Sequence, residues 1–221
     1  MHNIKAVFFD LDGTLIDSER FHYDCWMELL DEFGIHPTYE DWIRDHAGIA
    51  LSTNAVNIVE RYRLPVSAQS LIDRRIVLTE HAMKTREIAL MPHALEMVRF
   101  LTGHNVPLVL VTSSLRSEVD LVFENSALRP YFSHVITRDD VVNGKPDPEP
   151  YLLAYSYFPD LDKQECLIFE DTITGATAAV ASGIPCFAIQ HIDEMRGRLN
   201  FADKVFNSLQ EAEKYIEETF R

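Results

Sequence analysis

Four short runs of the chain, at positions 4–9, 106–111, 166–169 and 185–189, are apolar at nearly every position, and turn-forming or polar residues follow each of them. A strand with one wet face alternates with period two. A short continuous apolar run therefore predicts a strand covered on both faces, as in a parallel sheet. Helical patterns intervene at 94–104, 116–126, 149–158 and 173–182. Strand and helix thus alternate, which predicts an α/β fold: a doubly wound parallel sheet of Rossmann-like form.

The stretch 17–88 has a different rhythm, with helical segments at 19–33, 39–46, 53–62 and 67–85 and no convincing strand. It reads as a helical domain inserted after the first strand, leaving residues 1–16 and 89–221 to the α/β core. Gly34 and Pro37 end its first helix, Pro65 separates two later ones, and Pro92 can start the helix that returns to the core. At the other end of the chain, Ser208 is placed to cap a closing helix at 208–220 with an apolar stripe of Leu209, Ala212, Tyr215 and Ile216.

Charge narrows the class of partner. Thirty-five acidic residues against twenty Lys and Arg leave a formal charge of −15, a field that repels nucleic acid and anionic membrane. It also opposes a small phosphate substrate, so a phosphate site here must draw its positive charge locally, from a metal, a lysine and backbone N–H groups. Cys25, Cys166 and Cys186 lack the paired spacing of a zinc or redox motif and read as reduced packing residues. No apolar run approaches the roughly 20 residues of a membrane span. The residues at 1–5 lack the features of a secretory leader, so the expectation is a cytoplasmic protein, and a monomer needs no added assumption.

Chemistry-bearing residues concentrate in four segments. The first run ends in Asp10-Leu11-Asp12-Gly13-Thr14, where two carboxylates two apart can both face a ligand once Gly13 turns the chain. One carboxylate can attack phosphorus while the other handles protons. A solvated strand end, or part of a calcium loop, would read similarly in isolation, although the remaining calcium-ligand spacing is not evident. The second run ends in Thr112-Ser113-Ser114 before a helix, a place where hydroxyls and free N–H groups bind phosphate oxygens or simply cap the helix. Gly144-Lys145-Pro146-Asp147-Pro148 is a rigid turn presenting one lysine. Finally, Glu170-Asp171 offers adjacent hard oxygen ligands suited to magnesium before the small-residue helix that contains Gly175. Gly175 and Gly183 read as close-packing positions. In an open parallel sheet such strand-end loops meet at the carboxyl edge.

In this order the four segments resemble the haloacid dehalogenase superfamily of phosphotransferases, specifically the branch with a helical cap after the first strand. The resemblance implies Asp10 as nucleophile, forming an aspartyl-phosphate, and Asp12 as general acid and base. It implies Mg2+ held by the Asp10 carboxylate, the Asp12 carbonyl, Asp171 and Glu170. Thr112, Ser113 and Ser114 would receive the phosphoryl oxygens, with Lys145 neutralising charge between nucleophile and phosphate. Similar capped phosphatases carry a stretch like Asp17-Ser18-Glu19 and His22, which makes Glu19 a candidate substrate contact. Four carboxylates against one magnesium and one lysine leave a single negative charge, and none if Asp12 carries its proton. A phosphate dianion can then enter only with the metal in place.

The expected activity is hydrolysis of a small phosphate monoester, such as a sugar phosphate. Dehalogenation is excluded by Asp12, which metal-free dehalogenases lack. Phosphonate hydrolysis by a cap lysine is excluded because no lysine lies between Asp17 and Met83. The alternative is a phosphomutase of the β-phosphoglucomutase type, whose cap loop is basic. The corresponding stretch at 45–52 lacks Lys and Arg, with only Arg44 nearby. A non-catalytic phosphate-binding protein, a third reading, would be expected to have lost the nucleophile, the acid or the metal carboxylates.

Overall fold

Each central strand is buried along its whole length, which is why its sequence does not alternate. In the computed structural model, which describes residues 4–46, 49 and 51–217, the strands are β1 (Ala6–Phe9), β2 (Leu108–Val111), β3 (Phe132–Ile136), β4 (Cys166–Glu170), β5 (Cys186–Ile189) and β6 (Lys204–Phe206). They form one parallel sheet in the order β3-β2-β1-β4-β5-β6. The strand order reverses between β1 and β4, which puts the ends of β2, β1 and β4 side by side at the crevice where such sheets bind ligands.

β3 and β6 lie outside the four apolar runs. Both are edge strands with partly exposed positions, so neither needs a continuous apolar run.

Helices cover the two faces. On one, α7 (Glu149–Ser156) and α8 (Ile173–Ser182) pack Tyr151, Ala154, Ala176 and Ala179 against Ala6, Phe8, Val109 and Ile168. The small side chains of α8 bring its backbone close to the sheet. On the other face Phe9 stacks on Phe169 at 4.9 Å, Phe169 meets Phe187 edge-on, and Phe187 meets Tyr215 of α10 (Leu209–Glu217). Alternate side chains of a strand point to opposite faces, so one apolar strand feeds both layers. The closing helix is described as far as Glu217; the expected remainder, 218–220, lies outside the described residues.

The chain divides into two compact units, residues 1–17 with 89–221, and residues 18–88. The second contains α1 (Ser18–Asp31), α2 (Tyr39–Asp45), α3 (Leu51–Tyr62) and α4 (Ala68–Thr85). Thr38 and Ser67 cap α2 and α4 through their hydroxyls. The unit has its own core, built on Trp26, Leu29, Leu30, Trp42, Ile58 and Leu71. Among the described residues no helix is long and apolar enough to cross a membrane.

Candidate active site

Asp10 follows β1 directly, and its N–H still bonds the Phe169 carbonyl at 3.0 Å, so the nucleophile candidate is fixed to the sheet by backbone. It is 6% exposed. The chain then turns back on itself, with Gly13 N–H donating to Ile16 O and Leu15 N–H to Leu11 O. Gly13 sits at φ +78°, and a Cβ there would overlap the Asp171 carboxylate. Both the left-handed backbone and the close approach demand glycine.

The turn carries Asp12 toward the end of β2. Ser114 Oγ donates to Asp12 Oδ2 at 2.7 Å, and Thr112 Oγ1 lies 3.4 Å from the same oxygen. Thr112 is itself held, its N–H on Ile136 O and its Oγ1 accepting from Ser114 N–H at 3.0 Å. Among the described residues the Ser113 N–H meets no acceptor. Thr112 and Ser114 are thus gathered around Asp12, and the hydroxyl of Ser114 is committed to a carboxylate, not left open for a phosphate oxygen.

Lys145 comes from the loop between β3 and α7. The Glu149 carboxylate accepts from Val142 N, Asn143 N and Asn143 Nδ2 at 2.8, 2.9 and 3.0 Å, which folds the loop back on the start of α7. These bonds hold Glu149 below its ordinary carboxylate pKa. Lys145 Nζ then reaches three acceptors: Asp10 Oδ1 at 2.6 Å, Glu170 Oε1 at 2.6 Å and Val111 O at 2.9 Å. Its side chain is 4% exposed.

Glu170, the last residue of β4, is surrounded by donors. Lys145 Nζ and the Tyr151 hydroxyl, both at 2.6 Å, share Oε1. Oε2 accepts from Asp171 N, Thr172 N and Thr172 Oγ1 at 3.2–3.4 Å. A Cβ on Gly175 would overlap this carboxylate. The close-packing role expected of Gly175 is therefore packing against the acidic cluster. Asp171 Oδ1, by contrast, is buried without a hydrogen-bond partner.

The electrostatics follow from burial and crowding. Ligand oxygens of Asp10, Glu170 and Asp171 lie within 4.8 Å of one another. Burial pushes the Asp10 carboxyl up to about 8 against the opposing pull of Lys145, and neighbouring Glu170 and Asp12 push the same way. Asp171 is raised well above its ordinary value by burial and then by the charge of Asp10. Burial works against the charge on Lys145, but Asp10 and Glu170 outweigh it and hold the ammonium above its ordinary pKa. One lysine therefore leaves the cluster short of positive charge. Hard oxygen donors, an unpartnered buried Asp171 oxygen and this deficit all fit a divalent cation such as magnesium.

Glu19 belongs to the helical unit, where its Oε1 accepts from Trp42 Nε1 at 3.3 Å. Sequence reasoning missed Tyr151 and Thr172. Tyr151 is fully buried in α7, and a buried tyrosine hydroxyl requires a partner. That rule flags the residue once its burial is known, but the sequence does not say which group it meets.

A family model for haloacid dehalogenase-like hydrolases matches residues 7–189. Over 215 residues the chain is 32% identical to a Drosophila melanogaster protein described as "Probable pseudouridine-5'-phosphatase", covering 95% of this chain and 91% of the relative. It is 27% identical over 181 residues to a phosphorylated carbohydrates phosphatase of Thermotoga maritima, covering 82% of each. In fold it is similar to a HAD family hydrolase from Deinococcus radiodurans solved with bound phosphate and sodium, at TM-score 0.85 and 23% identity, covering 99% of this chain and 97% of that one.

Proposed function

The chain belongs to the haloacid dehalogenase-like hydrolases, and from that premise we propose that it is a magnesium-dependent phosphatase of small phosphate monoesters acting through an aspartyl-phosphate. What carries this reading is the state of Asp10. Lys145 holds Oδ1 at 2.6 Å, while Oδ2 takes no hydrogen bond from any described residue. One oxygen is anchored beside a buried cation and the other is open to attack phosphorus.

Asp12 stands next to it as the proton carrier. Its Oδ2 accepts from the Ser114 hydroxyl, so the transferable proton belongs on Oδ1. In the first half-reaction Asp12 protonates the leaving oxygen, and in the second it takes a proton from the attacking water. Thr112 Oγ1 and the Ser113 N–H supply donors for the phosphoryl oxygens, and Lys145 offsets the charge that accumulates between Asp10 and the phosphate. The metal would be held by carboxylate oxygens of Asp10, Asp171 and Glu170 with the Asp12 carbonyl. Bound there, it would supply the positive charge against which a phosphate dianion can enter.

The named substrates of the two relatives, a nucleoside phosphate and phosphorylated carbohydrates, are hydroxylated monoesters, and this is the substrate class we assign. Residues 17–88 are assigned as the cap domain that selects among them, with Glu19 as a contact. Mutase action is disfavoured because the two arginines that meet the described part of the loop at 45–52 are already paired with acids. Arg44 bonds Asp41 at 2.7 Å and Asp45 at 2.9 Å, and Arg61 bonds Asp45 at 2.8 Å.

Turnover of p-nitrophenyl phosphate with magnesium, its loss in EDTA and its loss in Asp10→Asn test the reading together. Near-normal activity of that variant would remove Asp10 from its role. Faster interconversion of hexose 1- and 6-phosphates than release of inorganic phosphate would replace hydrolysis by mutase action.

A further inference from the structure

Tyr151 lies outside every motif of the proposed chemistry, yet it contacts two of that chemistry's charged groups. Its hydroxyl donates to Glu170 Oε1 at 2.6 Å, and Lys145 Nζ sits 5.0 Å from the centre of its ring. The side chain is completely buried on α7, with Ala154 one turn further along the helix in the same core cluster. We propose that Tyr151 is a positioning residue that sets the geometry of the metal-binding carboxylates by fixing Glu170. The inference rests on the magnesium reading above.

The two oxygens of Glu170 have different partners. Oε2 faces the turn into α8, where it gathers Asp171 N and the Thr172 amide and hydroxyl. Oε1 faces the opposite way and is shared by Lys145 and Tyr151. Lysine is a flexible point charge whose ammonium can follow a carboxylate that rotates. A phenol on a rigid ring in a packed helix cannot, so it defines where Oε1 must lie. With Oε1 fixed, Oε2 and the Asp171 backbone are fixed too. The unpartnered Asp171 Oδ1 then stays aimed at the place where the acidic oxygens converge. Gly175 closes the remaining side, leaving Glu170 no room to turn toward α8.

The two functions of Tyr151 separate chemically. Tyr151→Phe keeps the ring beneath Lys145 and removes only the donor to Glu170. Tyr151→Leu removes both. Partners of metal-ligating carboxylates typically contribute about 10- to 100-fold in metal affinity. For Tyr151→Phe we expect magnesium binding, measured by titration calorimetry without substrate, to weaken about tenfold. KM for p-nitrophenyl phosphate at saturating magnesium should stay within about twofold. The shift in melting temperature produced by a fixed magnesium concentration should shrink in parallel, a readout independent of both turnover and heat. Tyr151→Leu should in addition lower kcat at saturating magnesium, because Lys145 loses the surface it rests on.

Tyr131→Phe, which alters a hydroxyl bonded to Arg99 on the surface, should change none of these quantities. Magnesium binding by Tyr151→Phe equal to or tighter than wild type would overturn the inference and leave the metal reading standing. Absence of magnesium binding by the wild-type protein would overturn both. A Tyr151→Phe protein that melts lower but retains the full magnesium-induced shift would make Tyr151 a packing residue only, and would likewise overturn the inference.

Discussion

Replacing Asp10 by Asn should make the metal-free protein more stable at pH 8, although it removes the nucleophile. In the fold without metal, burial raises the Asp10 carboxyl from 3.8 to about 8. The folded state therefore binds this proton more tightly than the unfolded chain does. The resulting stabilisation is fully present below pH 3.8 and is lost as pH rises through about 8. Four units at about 1.4 kcal/mol each bound the loss at roughly 6 kcal/mol. Because Asp10 and Asp171 share one cluster, their protons move as a pair, and neutralising Asp10 alone should recover about 2–3 kcal/mol. Asn retains an Oδ1 acceptor for Lys145, so little of that gain is cancelled. For a chain of this length each kcal/mol moves Tm by about 2–4 °C, so the variant should melt roughly 4–12 °C higher in EDTA at pH 8. At pH 5 the folded carboxyl carries its proton and only the unfolded chain is ionised, so the gap should shrink to about a quarter, under about 1 kcal/mol. Saturating magnesium at pH 8 should reverse the order, because the wild type keeps the ligand oxygen and gains binding energy that the variant forgoes. The assay is thermal unfolding followed by circular dichroism in these three conditions. Equal stability in EDTA at pH 8, or a gain unaffected by magnesium, would refute the picture of a charge-deficient acidic cluster.

Other positions give independent checks. Lys145→Met leaves Asp10 and Glu170 without their shared cation, and should cost about 3–5 kcal/mol in EDTA at pH 8 by denaturant titration, as expected for one partner lost from a buried pair. The same variant should lower kcat for p-nitrophenyl phosphate about 10²–10³-fold at saturating magnesium. Gly175→Ala drives a methyl into the Glu170 carboxylate and should destabilise by about 1–3 kcal/mol while weakening magnesium binding. Gly103→Ala, where nothing lies within 4 Å of the added carbon, should do neither. Ser114→Ala should lower kcat about 10- to 100-fold with KM little changed, because the hydroxyl serves Asp12. A rise in KM at unchanged kcat would instead place Ser114 on the phosphate.

The order and type of the central elements were legible in the sequence because burial on both faces leaves a local mark. Ala6–Phe9, Leu108–Val111 and Cys186–Ile189 are apolar throughout, and every one of their residues is buried. β3 and β6 left no such mark, since an edge strand tolerates Ser133 and Lys204 at exposed positions and His134 at a half-buried one. The candidate site was legible as far as position: a strand's end is set by its neighbours in sequence, and Asp10, Thr112, Glu170 and Asp171 all stand at strand ends. What each side chain does there was decided by tertiary structure. Ser114 reads in sequence as a phosphate donor, but its hydroxyl points at Asp12, 102 residues away. Gly175 reads as packing, and the group it packs against is a carboxylate of the acidic cluster. Tyr151 carries no motif, because a tyrosine on a helix face is an ordinary core residue until the fold places Glu170, 19 residues on, opposite its hydroxyl. Periodicity records which face of an element is buried. It holds no information about the rotamer, or about a partner brought in from a distant segment, and in this cluster those partners decide where the charge resides.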